Sequence, residues 1–130
     1  MFDEDDASRA LGIRLLEASG GRASARMTVT QAMVNGHAVA HGGYVFTLAD
    51  TTFACACNSH GPTAVASGAE ITFVAPAYAG DELFAYAEER TSFGRSGIYD
   101  VTVRRGAHGP VIAEFRGHSR NVRLEGESGP

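Results

Sequence analysis

Apolar residues occupy nearly every face of one segment of the chain, between Gly43 and His60. The segment contains no proline and no glycine after Gly43, and two apolar stripes run along it at helical spacing: Val45, Leu48, Ala49, Thr52 and Ala56, and Phe46, Phe53 and Cys57. A helix that is apolar on nearly all sides is buried rather than lying on a surface. Because Gly61 and Pro62 then act as stop signals, the pattern predicts a long central helix over 43–60.

Strand-like runs dominate the rest of the chain. Residues 13–18 and 22–30 flank a Ser-Gly-Gly turn, which predicts a hairpin. After the helix come four runs rich in β-branched and aromatic residues: 64–77, 82–92, 96–105 and 110–122. Because their separators are too short for parallel crossovers, we expect these four strands to be antiparallel neighbours. Residues 3–10 predict a short surface helix ending at Gly12, and residues 31–42 an irregular loop.

These elements predict an α+β fold, in which a curved antiparallel sheet of about six strands wraps around one long helix. The 130 residues are enough for a single domain with its own core. One sheet of this size leaves the helix incompletely covered and its edge strands open. We therefore expect a homodimer or a larger assembly that pairs these edges. The polar tail, 124–130, is expected to be frayed.

Composition excludes several classes of protein. Hydrophobic residues make up 44% and charged residues 20%, which is ordinary globular usage, and no apolar run approaches the roughly 20 residues of a membrane span. The acidic start, Met1 to Asp6, differs from a secretory signal, so we expect a cytoplasmic protein without a membrane partner. The net charge of −4 argues against nucleic-acid binding. Cys55 and Cys57, one residue apart, are interpreted as core thiols.

Charge is unevenly distributed along the chain. Residues 1–89 carry four arginines and eleven acids, a net −7, whereas residues 90–130 carry seven arginines and four acids, a net +3. All eleven basic residues are arginines, which pair with phosphate through two hydrogen bonds. The C-terminal third is therefore a candidate site for a phosphorylated ligand, although solvated arginines on strand edges give the same composition.

Asp50 lies in the middle of the predicted helix, between Phe46 and Phe53. An isolated carboxylate in apolar surroundings is costly, so such groups are either paired or functional. Asp50 is too far into the helix to cap its N-terminus. It is either bonded to Thr47 or to a distant arginine, or it takes part in chemistry.

Gly42 and Gly43 precede the helix and would expose its first backbone N–H groups. These donors and the helix dipole suit an oxyanion, although two glycines also suit a flexible entry to the helix. His41 and Asn35 flank the same loop, where they either polarise a carbonyl and place a water or only stabilise turns. Asp50 follows Gly42 by eight residues, a little over two turns, so one chain does not bring both to a small substrate. A second subunit supplying its Asp50 would solve this.

This set of residues resembles a known family. Asn35 to His37, His41 to Asp50 and the helix end at Ala56 to Ser59 are similar to the hot-dog fold thioesterases of the PaaI type. The likeness continues through the strands to about Gly117, and so covers about four fifths of the chain. It is specific because the His-Gly-Gly to Asp spacing and the Ala-Cys-Asn-Ser ending occur together.

The resemblance implies a hot-dog fold paired into dimers and commonly tetramers, with active sites at the dimer interface. It implies hydrolysis of phenylacetyl-CoA or a related aryl acyl-CoA, without a metal or an organic cofactor. Asp50 would be the general base or nucleophile, and the Gly42 N–H would polarise the thioester carbonyl. The remaining assignments concern support and binding: Asn35 and His41 would hold the carbonyl or the water, Gly43, Thr51 and Ser67 would support the substrate, and Arg95 and Ser96 would contact the CoA phosphates.

Two other functions are possible on the same fold. A non-catalytic acyl-CoA sensor would not require Asp50, and such sensors carry a DNA-binding helix pair for which the segment before residue 13 is too short. A hydratase or dehydratase uses an Asp and a His from one short loop motif. Here His41 precedes the helix and Asp50 lies inside it, which favours the thioesterase.

Overall fold

The computed structural model describes residues 1–122. These residues form two short 3₁₀ turns, two helices and six strands: Phe2–Glu4, α1 (Asp6–Ala10), β1 (Arg14–Ser19), β2 (Arg22–Thr28), Gln31–Met33, α2 (Gly42–Asn58), β3 (Ala64–Phe73), β4 (Glu82–Phe93), β5 (Ser96–Arg105) and β6 (Val111–Asn121). The predicted long helix, the hairpin before it and the four strands after it are confirmed. Neither helix in this part of the chain has the length and apolarity needed to span a membrane. The predicted frayed tail, 124–130, lies outside the described residues.

All six strands form one antiparallel sheet in the order β1-β2-β4-β5-β6-β3. The sequence prediction that β3 and β4 are neighbours is wrong, because β3 pairs with β6 at the far edge and β4 pairs with β2. Residues 74–81 cross the end of the sheet and explain the difference. The N–H of Val74 bonds to the Ile112 carbonyl, the Ala77 carbonyl accepts from Ala40, and the N–H of Gly80 bonds to the Val29 carbonyl. The strand predicted over 64–77 therefore ends at Phe73.

Helix α2 packs on the inner face of this curved sheet. The inward positions alternate along the central strands and are small or aliphatic: Ala23, Ala25, Met27, Leu83, Ala85, Ala87, Val101 and Val103. The alanines let the helix axis approach closely, and Gly117 does the same for one ring, since a Cβ there would lie 2.8 Å from Phe53. Cys55 and Cys57 are buried and unbridged, which confirms them as core thiols, and burial raises the pKa of each to about 11.

The helix runs alongside the edge strand β3 and is tied to it at both ends. At the helix C-terminus, the Asn58 side chain donates to the Ala64 carbonyl at 3.1 Å and accepts from the Ala64 N–H at 3.0 Å. At the helix N-terminus, the Phe73 ring lies against Gly42. Mid-helix residues therefore face the middle of β3, where residues 65–70 are exposed.

Candidate active site

The N-terminus of α2 carries an unused hydrogen-bond donor. His41 is the N-cap, and its Nδ1 accepts from the Gly43 N–H at 3.2 Å while its carbonyl accepts from Tyr44 at 3.0 Å. The N–H of Gly42 meets no acceptor among residues 1–122. Because the helix dipole adds positive potential at this point, the Gly42 N–H is a ready donor for an oxyanion.

The ring of His41 carries a second potential donor close to the same helix N-terminus. A backbone N–H can only donate, so the His41 Nδ1 that binds Gly43 is the unprotonated nitrogen. The proton of the neutral imidazole is then on Nε2, where it can be donated to a carbonyl oxygen. The ring stands edge-on to Tyr44, with the centroids 6.4 Å apart.

Asn35 lies in the loop that leads into the helix. Its Oδ1 accepts from the backbone N–H of His37 at 2.9 Å and of Val39 at 3.4 Å, so the side chain stabilises its own turn. A bridge between Val34 and Ala40 closes the loop and brings Asn35 towards His41. The amide Nδ2 of Asn35 makes no hydrogen bond within the described residues and can serve as a third donor.

Phe73 forms one wall beside Gly42. A Cβ built on Gly42 would lie 2.7 Å from the end of the Phe73 ring, so glycine is required for this close approach. The ring is 54% exposed and borders an open apolar groove whose other walls are Val39, Val45, Val74 and Ile112. A substrate carbonyl at the Gly42 N–H would therefore lie next to an apolar surface.

Asp50 is half-buried on the face of α2 that the sheet leaves uncovered. Its carboxylate makes no hydrogen bond or ion pair among residues 1–122, and the Thr47 hydroxyl donates instead to the Gly43 carbonyl at 2.8 Å. Among residues 1–122, the alternative that Asp50 pairs with Thr47 or with a distant arginine is therefore wrong. Burial raises the pKa of Asp50, and the nearby charge of Asp5 raises it further. An unpaired carboxylate with a raised pKa is a suitable general base.

The structure brings together part of the predicted site. Asn35, His41, Gly42 and Gly43 surround the N-terminus of α2, whereas Asp50 lies eight residues along the same helix, about 12 Å away at 1.5 Å per residue. The sequence argument that one chain does not bring Asp50 and Gly42 to one small group therefore agrees with the geometry.

The other predicted residues lie away from the N-terminus of α2. The Ser67 hydroxyl donates to the His118 carbonyl at 3.2 Å, at an irregularity in β3, and the Thr51 hydroxyl is bonded to Ser8. Arg95 and Ser96 form the turn into β5, at the end of the sheet where β3 begins. They are thus at the opposite end of the molecule from Gly42.

Four of the C-terminal arginines form two pairs in different places. Arg90 and Arg116 both contact Asp100 on the outer face of the sheet, and the Arg116 guanidinium holds the pKa of that carboxyl below its usual range. Arg95 and Arg120 make no ion pair with an acid among residues 1–122. They lie close together, because Arg120 pairs with Ser96 across the sheet.

Sequence reasoning missed three residues of this region: Asp5, Ser8 and Phe73. Ser8 is buried and its hydroxyl lies 2.6 Å from both Asp5 and Thr51, so the N-terminal segment contacts α2 beside Asp50. The spacing of Asp5 and Ser8 is that of a helix N-cap, which was the available signal. In the described part of the chain no three His, Cys, Asp or Glu side chains cluster as metal ligands.

Comparison with known proteins identifies the family. Residues 37–112 match the Thioesterase superfamily. The chain is 43% identical over 122 residues to the acyl-coenzyme A thioesterase PaaI of Escherichia coli K12, a match that covers 94% of this chain and 86% of that protein.

Solved structures agree with this assignment. The E. coli PaaI protein from the phenylacetic acid degradation operon superposes with a TM-score of 0.91 over 95% of this chain and 88% of that chain, at 43% identity. A mutant of the phenylacetic acid degradation protein PaaI from Thermus thermophilus superposes with a TM-score of 0.86 over 91% of this chain and 100% of that chain, at 33% identity. The chain therefore belongs to the thioesterase superfamily, has the hot-dog fold of its PaaI-type members, and is a thioester-hydrolysing enzyme.

Proposed function

We propose that the protein hydrolyses acyl-CoA thioesters, and specifically phenylacetyl-CoA or ring-hydroxylated phenylacetyl-CoA, to the free acid and CoA. The observation that carries this proposal is the unpaired, half-buried Asp50 on the same helix whose N-terminus presents the unused Gly42 N–H. The acyl-CoA class is supported by the name of the E. coli relative and the arylacetyl class by its operon.

In the proposed reaction, the substrate carbonyl oxygen accepts hydrogen bonds from the Gly42 N–H and from the His41 Nε2–H, with the Asn35 amide as a further donor. These donors stabilise the negative charge of the tetrahedral intermediate. Asp50 either removes a proton from the attacking water or attacks the carbonyl carbon itself, which gives an anhydride that water then cleaves. In both routes the C–S bond breaks and the CoA thiolate leaves and takes up a proton. Neither route requires a cofactor.

A second copy of the chain would complete the site. The edge strand β3 has ten residues and includes one charged side chain, and Val65 and Phe73 on it are 47% and 54% exposed. The opposite edge, β1, has six residues and includes Arg14 and Glu17. Of the two edges, β3 is therefore the more prone to pair with another strand. Self-pairing of β3 around a two-fold axis would cover it. The same axis would set the two α2 helices antiparallel. The Gly42 amide of one copy would then lie on the side of the Asp50 face of the other.

The same proposed pairing of β3 supports a site for the CoA phosphates. Arg95, Ser96 and Arg120 lie where β3 begins, and Gly42 lies where it ends. Antiparallel pairing of β3 would bring these opposite ends of two copies together. We assign the CoA phosphates to Arg95 and Ser96, with Ser67 on the paired edge and the exposed Gly43 beside the pantetheine chain.

Subunit complementation tests the shared site. Asp50→Asn and Gly42→Pro proteins, each inactive alone, are mixed in equal amounts, denatured and refolded together. A heterodimer then contains one site with both groups intact, so about one quarter of the wild-type activity should return for a statistical mixture. Refolding each variant alone is the control. Recovery no greater than in the controls would contradict a site built from two subunits.

Release of CoA thiol from a panel of substrates tests the proposed function: phenylacetyl-CoA, hydroxyphenylacetyl-CoA, benzoyl-CoA, and short and long aliphatic acyl-CoAs. We expect the highest kcat/KM for the two arylacetyl substrates, because the groove beside Gly42 is apolar and bordered by the Phe73 ring. Preference for an aliphatic chain would overturn the arylacetyl assignment alone. No release from any substrate would overturn the acyl-CoA thioesterase proposal.

A further inference from the structure

We propose that Asp5 is a positioning residue of the active site: a hydrogen-bond chain through Ser8 and Thr51 holds it beside α2, where its negative charge acts on the Asp50 carboxyl. This inference rests on the proposed function of Asp50 and adds the N-terminal helix to the catalytic apparatus. Three observations support it: the direction of the hydrogen bonds in the chain, the burial of its middle members, and the position of the Asp5 charge.

The hydrogen-bond chain has a defined direction. The Asp5 carboxylate accepts from the Ser8 backbone N–H at 3.0 Å and from the Ser8 hydroxyl at 2.6 Å. An ionised carboxylate can only accept, so the single hydroxyl proton of Ser8 points to Asp5. The Ser8 oxygen therefore accepts from Thr51, whose hydroxyl lies 2.6 Å away. The chain runs from the Thr51 hydroxyl through Ser8 to the Asp5 carboxylate.

Burial makes this chain a fixed connection. Ser8 is 2% and Thr51 6% exposed, so both hydroxyls lose solvent partners and depend on each other. Thr51 is the residue that follows Asp50 on α2. The contact therefore joins the N-terminal segment to the helix within one residue of the proposed base.

The charge of Asp5 acts on Asp50 without a direct hydrogen bond. The Asp5 carboxylate is close enough to raise the pKa of Asp50, in addition to the larger effect of burial. A like charge disfavours the ionised form of its neighbour, so Asp5 makes Asp50 a stronger base. The chain holds the Asp5 side chain in place, because its carboxylate accepts two hydrogen bonds from Ser8.

Other ionisable groups around α2 do not take this role. On α2 itself, burial keeps the Cys55 and Cys57 thiols neutral at physiological pH. The inner faces of the strands packed on the helix present Glu89 and Tyr99, which bond to each other beside His60, past the helix C-terminus. On α1, Asp6 and Arg9 are exposed.

The test is an NMR titration of ¹³C-labelled aspartate carboxyls, with the Asp50 signal assigned by its loss in Asp50→Asn. We expect Asp5→Asn to lower the titration midpoint of Asp50, because asparagine is also a good N-cap but carries no charge. Asp6→Asn is the matched control, since it removes the same charge one residue away at an exposed position, and should leave the midpoint unchanged.

Two variants of Thr51 test the connection itself. Thr51→Val removes the hydroxyl at nearly constant volume and should shift the Asp50 midpoint in the same direction as Asp5→Asn. Thr51→Ser restores the hydroxyl and should return the midpoint to the wild-type value. In the active enzyme, the acid limb of the kcat profile should follow each shift, because Asp50 must be ionised to act.

The titration separates this proposal from the proposed function. Equal Asp50 midpoints in the Asp5→Asn and Asp6→Asn proteins would overturn the positioning role, and so would a Thr51→Ser protein that titrates like Thr51→Val. These readings are independent of turnover. A protein that releases no CoA from any substrate but shows the expected midpoints would disprove the hydrolase and retain the Asp5–Asp50 coupling.

Discussion

Replacing Asp50 with asparagine is expected to reduce kcat for thioester hydrolysis by about 100- to 10,000-fold, which is the usual contribution of a positioned base. Asparagine has the same shape and cannot accept the proton of water or act as a carboxylate nucleophile. The measurement is release of CoA thiol from phenylacetyl-CoA, with Asp6→Asn as a control for loss of one negative charge. Turnover within a few-fold of wild type would remove Asp50 from the reaction.

The thermal stability of the Asp50→Asn protein should rise, although its kcat falls. The pKa of Asp50 is raised in the folded state, so the folded protein favours the protonated carboxyl. The stability that this group contributes is therefore present at low pH and is lost as the pH rises through the folded pKa. At a pH above that folded pKa the wild type holds a poorly solvated carboxylate, and Asp50→Asn should melt at a higher temperature. The difference should disappear at a pH below the ordinary pKa of aspartate.

A lower kcat together with a higher melting temperature distinguishes a functional carboxylate from a structural one. A carboxylate that held the fold together would leave the asparagine variant less stable, because its partners would lose a charged acceptor. Within residues 1–122 Asp50 has no such partner. A protein that keeps an unpaired, half-buried charge in its main helix retains a local cost to stability, and the proposed chemistry explains why.

The sequence was most informative where local pattern and burial coincide. The prediction of a helix over 43–60 agrees with the observed Gly42–Asn58 to within two residues, because a segment with apolar side chains on all faces has few other ways to bury them. The same segment carries the spacing from Gly42 to Asp50. Helical geometry converts that spacing into a distance without knowledge of the rest of the fold.

The order of the strands was not available from local pattern. Short separators indicated antiparallel neighbours throughout, yet β3 pairs with β6 and the chain crosses to β2 before β4 begins. The contacts that direct this crossing join residues far apart in sequence, such as Val74 to Ile112 and Gly80 to Val29. The hydrophobic periodicity of the two paired segments does not predict that they meet.

The same limit explains which site residues were missed. Asn35 to Asp50 form a continuous stretch, so their roles could be inferred together. Asp5 and Ser8 approach Thr51 from about 40 residues away, and Phe73 approaches Gly42 from about 30. Their residue types, an acid, a serine and a phenylalanine, are common in surface helices and strands. Their importance appears only when the fold brings them to α2.

Gly42 is the second position where one substitution has a large expected effect. Proline at Gly42 removes the N–H that would polarise the thioester carbonyl. The backbone accepts the change, because proline is favoured at the first position of a helix, and His41 before it is extended with φ −63° and ψ 133°. The ring would, however, press on Phe73, since even a Cβ at Gly42 comes within 2.7 Å of it. A loss of activity in Gly42→Pro alone would therefore have two explanations.

Gly42→Ala separates them, because alanine adds the same Cβ against Phe73 and keeps the N–H. We expect Gly42→Pro to lose about 100- to 1,000-fold in kcat relative to Gly42→Ala, the usual cost of removing one oxyanion donor. The comparison is made on phenylacetyl-CoA, with circular dichroism to verify the helix in both proteins. If the two variants are equally impaired, crowding against Phe73 accounts for the loss and the Gly42 N–H is not the oxyanion donor. If Gly42→Pro alone is impaired, the loss is due to the missing hydrogen bond.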